Sequence, residues 1–349
     1  MFLKNRWHVA AQSGELEERP LGRSVLGDPI VLYRDSLGTA IALEDRCVHR
    51  QAPLSLGEVV GDTLQCTYHG LCYDRTGTCV GVPGQNTVPP GARVRGYPVR
   101  ERHGFVNVWM GDVADAESIE PYDFPWEDNA DWRVLHANFH ANFDHRLLID
   151  NLMDVSHLPF AHKTTIGTAA VADNAISKTE RDGERVRVTR WMENIDQAPA
   201  HLEVTGYAGK VDRWQVMEFC PPGVVWFQTG SAVSGTGGRE AEGDNRLLNR
   251  HSVHVLTPES ETTSHYFWVT AHRAGSLTVD QEQTLYDRSV QAFNEDLVII
   301  EGQSRRLDPG IPTIDINADS GPLEVRRLMA RLIAEETQTG GRGGNHAEP

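Results

Sequence analysis

The sequence predicts an α+β protein, with an N-terminal all-β domain followed by an antiparallel sheet carrying packed helices. Three observations lead to this reading. Short β-branched or aromatic runs separated by turn residues fill positions 29–110, and an acidic, proline-bearing stretch follows over 111–131. Beyond it, strand-like runs sit between two helical candidates. A chain of 349 residues has room for about two domains, each with its own core.

At the N-terminus, MFLKNRWHVAAQSGEL is broken by Lys4, Asn5, Arg6 and His8 before a signal-peptide core or a membrane span can form. A cytoplasmic protein is expected. The runs PIVLYRD and TAIAL flank Ser36-Leu37-Gly38, LCYD and TCV flank Arg75-Thr76-Gly77, and FVNVWM at 105–110 closes the series. Segment 111–131 holds eight acids, no Lys or Arg, and prolines at 121 and 125, so it reads as a connection. The expected domains are 1–115 and 116–337. In the second, strand runs at 186–192, 213–219, 224–228, 252–256 and 265–270 join helical candidates at about 144–157 and 279–305. The tail 338–349, QTGGRGGNHAEP, has nothing to bury and is expected to be mobile.

The 33 basic residues are outnumbered by 49 acidic ones, a net charge of −16, and no Lys/Arg block interrupts the imbalance. Nucleic acid and anionic membrane surfaces are therefore excluded as partners, since each requires a clustered positive field.

Four of the five cysteines fall between Cys47 and Cys79, which in a reducing compartment favours metal ligation over disulfides. Cys47-Val48-His49 and Cys66-Thr67-Tyr68-His69 offer two thiolates and two imidazoles from two loop tips, 16 residues apart. A structural zinc and a [2Fe–2S] centre with two histidines on one iron are both compatible with that donor set. Zinc loops usually group like ligands, whereas each loop here supplies one Cys and one His, the arrangement a Rieske cluster needs. Cys72, Cys79 and Cys220 read as core thiols.

A second constellation spans Asn151 to His162. On one continuous helix Asn151, Asp154 and His157 would share a face, and Pro159 would break the turn so that His162 swings back toward His157. A carboxylate is needed as third ligand. On the late helix Leu285, Ser289, Phe293, Leu297 and Ile300 form a stripe that contains Asp296, with Glu295 expected on the far side. An acid on an apolar face is costly unless paired or metal-bound, so His157, His162 and Asp296 form a candidate 2-His-1-carboxylate triad.

RCVHRQAPLSLG and CTYHGLCYDRTGTC resemble the Rieske domain of bacterial Rieske non-haem iron oxygenases. Ala52 and Tyr68 stand where cytochrome bc-type Rieske proteins carry an extra disulfide, so the oxygenases are the better match. MFLKNRWHVAA, DNLMDVSHLPFAH and AFNEDLVIIE are similar to the branch containing vanillate O-demethylase, toluenesulfonate methyl-monooxygenase and dicamba O-demethylase oxygenase components. DRWQ at 212–215 and TGSAVSGTG at 229–237 lean toward the toluenesulfonate enzyme.

The resemblance implies a helix-grip-like catalytic domain, a [2Fe–2S] Rieske cluster on Cys47, His49, Cys66 and His69, and a mononuclear non-haem Fe(II) on His157, His162 and Asp296. It also implies a homotrimer in which Asp154 links His69 of one subunit to His157 of the next, with Asn151 alongside as a second catalytic candidate. Electrons would come from an NAD(P)H-dependent reductase or ferredoxin, because no G-x-G-x-x-G opens a helix in this chain. Arg46, Arg50 and Arg75 are candidates for docking that partner. His254, protonated or as a neutral donor, and Trp226 are the expected contacts of a small aromatic acid that reacts with O2 at a methyl or methoxy group. Ring cis-dihydroxylation is the alternative reaction; an electron-transfer protein and a zinc-stabilised binding module are rival classes.

Overall fold

A computed structural model describes residues 1–173 and 175–340. They divide into two units: Met1–Phe124 with Thr257–His265 and the chain from Glu336, and Pro125–Leu256 with Tyr266–Glu335. Beyond residue 340 the tail expected to be mobile lies outside the described residues, and positions 338–340 continue the helix Ser320–Gly340.

The first unit is built from three small sheets, as its punctuated pattern predicts. Trp7–Gln12, Phe105–Trp109 and Val99–Arg102 form one; Leu21–Val25, Asp28–Arg34, Ala40–Glu44 and Gly96–Tyr97 form another. The third consists of Glu58–Val60, Thr63–Gln65, Cys72–Tyr73 and Cys79–Gly81. Leu26 and Gly27, both with positive φ, make the two-residue turn between Val25 and its partner Asp28, matching the twist of the hairpin. One core gathers Val31, Tyr33, Leu43, Leu64 and Tyr73, and it includes Cys47 and Cys66.

The second unit is a seven-stranded sheet in the spatial order Trp132–Ala141, Ser264–Arg273, Arg246–Pro258, Val224–Val233, Val211–Cys220, Arg185–Ile195, Ile176–Asp182. All five expected strand runs lie inside it. Its first and last strands, and the helix Ser320–Gly340, went unread in the sequence; 176–182 is mostly exposed and lacks an apolar face, whereas 132–141 is mostly half-buried and carries Leu135, Ala137, Phe139 and Ala141 on one face, an alternation that was there to be read.

Helix Val279–Ser304 starts on a reciprocal cap between Thr278 and Gln281, and it buries Leu285, Ser289, Ala292, Asp296 and Ile300 as one stripe. The other expected helix is interrupted. His145–Met153 ends before Asp154, whose φ of −126° and ψ of 105° are extended, and a short helix restarts at Leu158–Ala161. Asp154 therefore does not share a helix face with Asn151 and His157. The break falls about four residues before the position expected, and Pro159 sits in a first helical turn, where its missing N–H is harmless. Among the described residues no helix is long and apolar enough to cross a membrane.

Candidate active site

In the first unit the two Cys-His loops have the same backbone. Cys47 N–H donates to Ala52 O and Gln51 N–H to Cys47 O; Cys66 N–H donates to Leu71 O and Gly70 N–H to Cys66 O. The fourth residue after each cysteine is left-handed, Gln51 at φ 58° and Gly70 at φ 73°. This repetition sets the thiols inward, Cys47 at 2% and Cys66 at 1% exposure, and leaves His49 and His69 exposed with ring centroids 4.4 Å apart. Burial pushes the Cys66 thiol up, so it becomes a thiolate only against a cation. The Tyr73 hydroxyl lies 3.1 Å from Cys47 Sγ and accepts the Val48 N–H. Two buried thiols beside two accessible imidazoles fit a cluster with sulfur ligands on an inner iron and nitrogen ligands on an outer one. Of the remaining cysteines, Cys79 and Cys220 are buried, whereas Cys72 is only partly so.

In the second unit the ligand atoms of His157, His162 and Asp296 all lie within 4.8 Å of one another. Asp296 Oδ1 is 3.1 Å from His162 Nε2 and 3.5 Å from His157 Nε2. Each imidazole is anchored from behind: His157 Nδ1 donates to Asp154 O at 2.8 Å, and His162 Nδ1 meets Glu295 Oε2 at 2.7 Å. These bonds leave both Nε2 lone pairs facing the carboxylate, a donor set suited to ferrous iron with open positions. Burial acts to raise the Asp296 carboxyl, but the two adjacent imidazoles overcome it and hold the group at about 2. At His162 burial works against the proton, yet Asp296 and Glu295 together push the ring up. Asn151 Nδ2 donates to Asp296 Oδ1 at 3.0 Å, fixing the carboxylate's rotation.

Two expectations at this centre change. The Asp154 carboxylate does not hydrogen-bond His157, because it accepts the N–H and hydroxyl of Ser156; only the carbonyl of Asp154 reaches the ring. Glu295 is not on a far side either. Successive helical residues stand about 100° apart, so Asp296 reaches the Nε2 side of the triad while Glu295 reaches the back of His162, held there by Thr165 and Gln291. The acid pair Glu295-Asp296, with Gln291 four residues earlier, was the available signal.

A cavity bounded by Asn151, His157, Phe227, His254, Phe293 and Asp296 opens beside the triad. Trp226, expected as a substrate contact, is absent from its lining. Strand parity is the reason: Phe227 and Thr229 share the face of Gln215, Ser252 and Arg250, whereas Trp226 pairs with Glu218 and Val253 on the opposite face and stacks on His251. His254 does line the cavity, but not as an imidazolium. Burial, reinforced by Arg250, pushes it down to about 3. Tyr266, whose hydroxyl burial keeps protonated, donates to His254 Nδ1 at 2.7 Å, which leaves Nε2–H as the donor on the side of Ser252. Two residues missed in the sequence, Arg213 and Arg250, complete this face of the cavity. Inward parity with Gln215 on alternating strands was the only trace of them.

A four-donor Cys/His site in a small β domain and a 2-His-1-carboxylate site under a helix-covered sheet define an iron-dependent oxygenase. The chain matches the Rieske [2Fe-2S] domain over residues 6–98 and the vanillate O-demethylase oxygenase C-terminal domain over residues 141–335, and it belongs to the Rieske non-haem iron oxygenases of that type. It is 38% identical over 344 residues to the iron-sulfur subunit of the toluene-4-sulfonate monooxygenase system of Comamonas testosteroni, covering 96% of this chain and 98% of that one. With a vanillate O-demethylase oxygenase subunit of Pseudomonas sp. it shares 36% identity, covering 97% of each chain. The crystal structure of dicamba monooxygenase bound to 3,6-dichlorosalicylic acid superposes with a TM-score of 0.90 at 31% identity, covering 96% of this chain and 99% of that one.

The protein is thus an oxidoreductase, the oxygenase component of a multicomponent Rieske monooxygenase supplied with electrons by a separate protein. Its cofactors are a [2Fe–2S] Rieske cluster and a mononuclear non-haem iron. The character of these relatives favours monooxygenation over ring dihydroxylation.

Proposed function

We propose that this oxygenase hydroxylates the methyl group, or removes the methoxy methyl group, of a small aromatic acid. The observation that carries the reading is a cavity lined by His157 and Asp296 of the triad together with the aromatic side chains Phe227 and Phe293. Cys47 and Cys66 with His49 and His69 would hold the cluster, and His157, His162 and Asp296 would hold the mononuclear iron. When bound, the cluster supplies electrons singly and the mononuclear iron supplies dioxygen activation. The residues of the chain do the positioning. Asp154 O and Glu295 keep both histidine Nε2 atoms turned to the metal, Asn151 restrains the Asp296 carboxylate, and Phe227 and Phe293 exclude water around the ring.

Asp154 joins the two centres in a homotrimer, its carbonyl on His157 and its carboxylate toward His69 of a neighbouring copy, and an NAD(P)H-dependent reductase or ferredoxin in the cytoplasm is the electron source. The test is aerobic turnover of methoxybenzoates, methylbenzoates and toluene-4-sulfonate with a surrogate reductase. Formaldehyde or a hydroxymethyl product supports the reading, and a cis-diol as the sole product rejects it. Light scattering of the holoenzyme tests the trimer.

A further inference from the structure

Two arginines line the cavity, and among the described residues neither is ion-paired with a carboxylate. Arg213 and Arg250 come from adjoining parts of one sheet face: Gln215 pairs with Thr229, Thr229 pairs with Arg250, and Arg213 precedes Gln215 by one strand repeat. Arg213 is only 2% exposed, yet it donates one hydrogen bond, from Nη1 to Ile166 O at 3.2 Å, and its Nε has no partner. Arg250 donates from Nε to Thr229 Oγ1 at 3.3 Å and from Nη1 to Ser289 Oγ at 2.9 Å. Among the described residues neither guanidinium has a carboxylate within ion-pair distance, and the nearby Gln215 Oε1 is also unpartnered.

Burial first, then repulsion from Arg250 and Arg190, lowers Arg213 to about 10, and burial alone lowers Arg250 to about 10. Both remain cations at neutral pH. Removal of two like charges from water without a counter-ion destabilises a fold, and an anion placed between them reverses the penalty. Part of the remaining cavity wall is apolar, with Leu152, Leu158, Ile166, Phe227 and Phe293, and the rest is polar. An inorganic anion would satisfy the arginines and leave that wall unused, whereas an aryl anion satisfies both.

We infer that Arg213 and Arg250 form the anion subsite of this cavity and grip the carboxylate or sulfonate oxygens of the substrate, with His254 contributing no more than a neutral Nε2–H. The inference rests on the aromatic-acid reading above and adds which residues recognise the acid. Guanidinium N–H groups pair with planar or tetrahedral oxyanions through parallel hydrogen bonds, which a single imidazole cannot do. The arginines hold the anionic end, and the opposite end of the ring is left to the triad.

Calorimetric titration of the holoenzyme with toluene-4-sulfonate, 4-methylbenzoate, 4-methoxybenzoate and neutral 4-methylanisole tests it. In the parent protein at least one anion class binds about 30-fold or more tightly than 4-methylanisole. Arg213→Met and Arg250→Met each weaken the anions by about 30-fold or more without weakening 4-methylanisole, and His254→Gln changes anion affinity by less than about five-fold. Arg213→Lys and Arg250→Lys restore part of the loss, which excludes simple misfolding. Substrate-free Arg213→Met melts no lower than the parent, because an unpaired buried charge has been removed.

Anion affinity unchanged in both Met variants, or no preference of the parent for anions over 4-methylanisole, overturns the inference. If anions bind in an arginine-dependent way but are not oxidised, the reaction assignment fails and the subsite stands. If they are oxidised while their binding ignores both arginines, the subsite fails and the reaction stands.

Discussion

Truncation of Glu295 isolates the support behind one metal ligand. Its Oε2 sits 2.7 Å from His162 Nδ1 and 3.2 Å from Thr165 Oγ1, and its Oε1 accepts from Gln291 at 3.2 Å. His162 itself is fully buried, so Glu295 is what meets its Nδ1 in the folded protein. A hydrogen bond to a charged group is worth about 1.5–3 kcal/mol, and about 1.4 kcal/mol corresponds to a tenfold change in affinity. Glu295→Ala should therefore weaken ferrous-iron binding at the mononuclear site by about 10–100-fold, the range typical of groups that orient metal ligands. Glu295→Gln, which keeps an acceptor in place but loses the charge, should fall between parent and Ala. The measurement is a competition titration against a ferrous chelator, with the visible absorbance of the Rieske cluster as an internal control. Iron affinity of the Ala variant within twofold of the parent would refute the reasoning, and so would a Gln variant as weak as Ala.

Other expectations concern separate parts of the molecule. Tyr73→Phe removes the hydroxyl beside Cys47 Sγ; loss of roughly 1 kcal/mol of stabilisation of the reduced form lowers the one-electron cluster potential by about 40 mV, readable by spectroelectrochemistry. Phe227→Leu should raise KM for the substrate several-fold, whereas Trp226→Leu, on the opposite sheet face, should lower the melting temperature and leave KM within twofold. Asp154→Asn should retain both metals and lose most turnover; full turnover with both centres loaded would exclude its linking role.

Acid should also destabilise the catalytic unit. The folded pKa of His254, about 3, lies below its ordinary 6.5, so the unfolded chain takes up the proton first and stability falls as pH drops between those values. From pH 7 to 5 this amounts to roughly 2 kcal/mol, and His251, pushed down to about 4 mainly by burial, adds in the same direction. Melting curves at pH 7, 6 and 5 should fall less steeply for His254→Phe than for the parent, and parallel curves would contradict the assignment.

The parts of the site that were legible in the sequence are those whose evidence is local. Cys47, His49, Cys66 and His69 announce their pairing by spacing alone, and the structure gives both loops one backbone conformation. Asp296 was readable because helical periodicity marks an acid on an apolar stripe, and Asp296 is buried in that stripe. Periodicity gave a poorer guide where the helix itself was assumed. The alignment of Asn151, Asp154 and His157 required one continuous helix, but Asp154 is extended, and its carbonyl rather than its carboxylate meets His157.

Residue chemistry, ligand spacing and helical period are written along the chain, and they determined the two donor sets, the β-then-α+β order of the domains and the sign of the net charge. Which face of each strand turned inward, and what stood opposite it, depended on tertiary packing. A shift of one residue separates Trp226 from Phe227 across the sheet, and Glu295 finds its role only because His162 arrives from another element. Arg213 and Arg250 look like ordinary strand charges until their burial, and the lack of an ion pair to either among the described residues, are known. Those are properties of residues brought together from distant parts of the chain, and no local pattern encodes them.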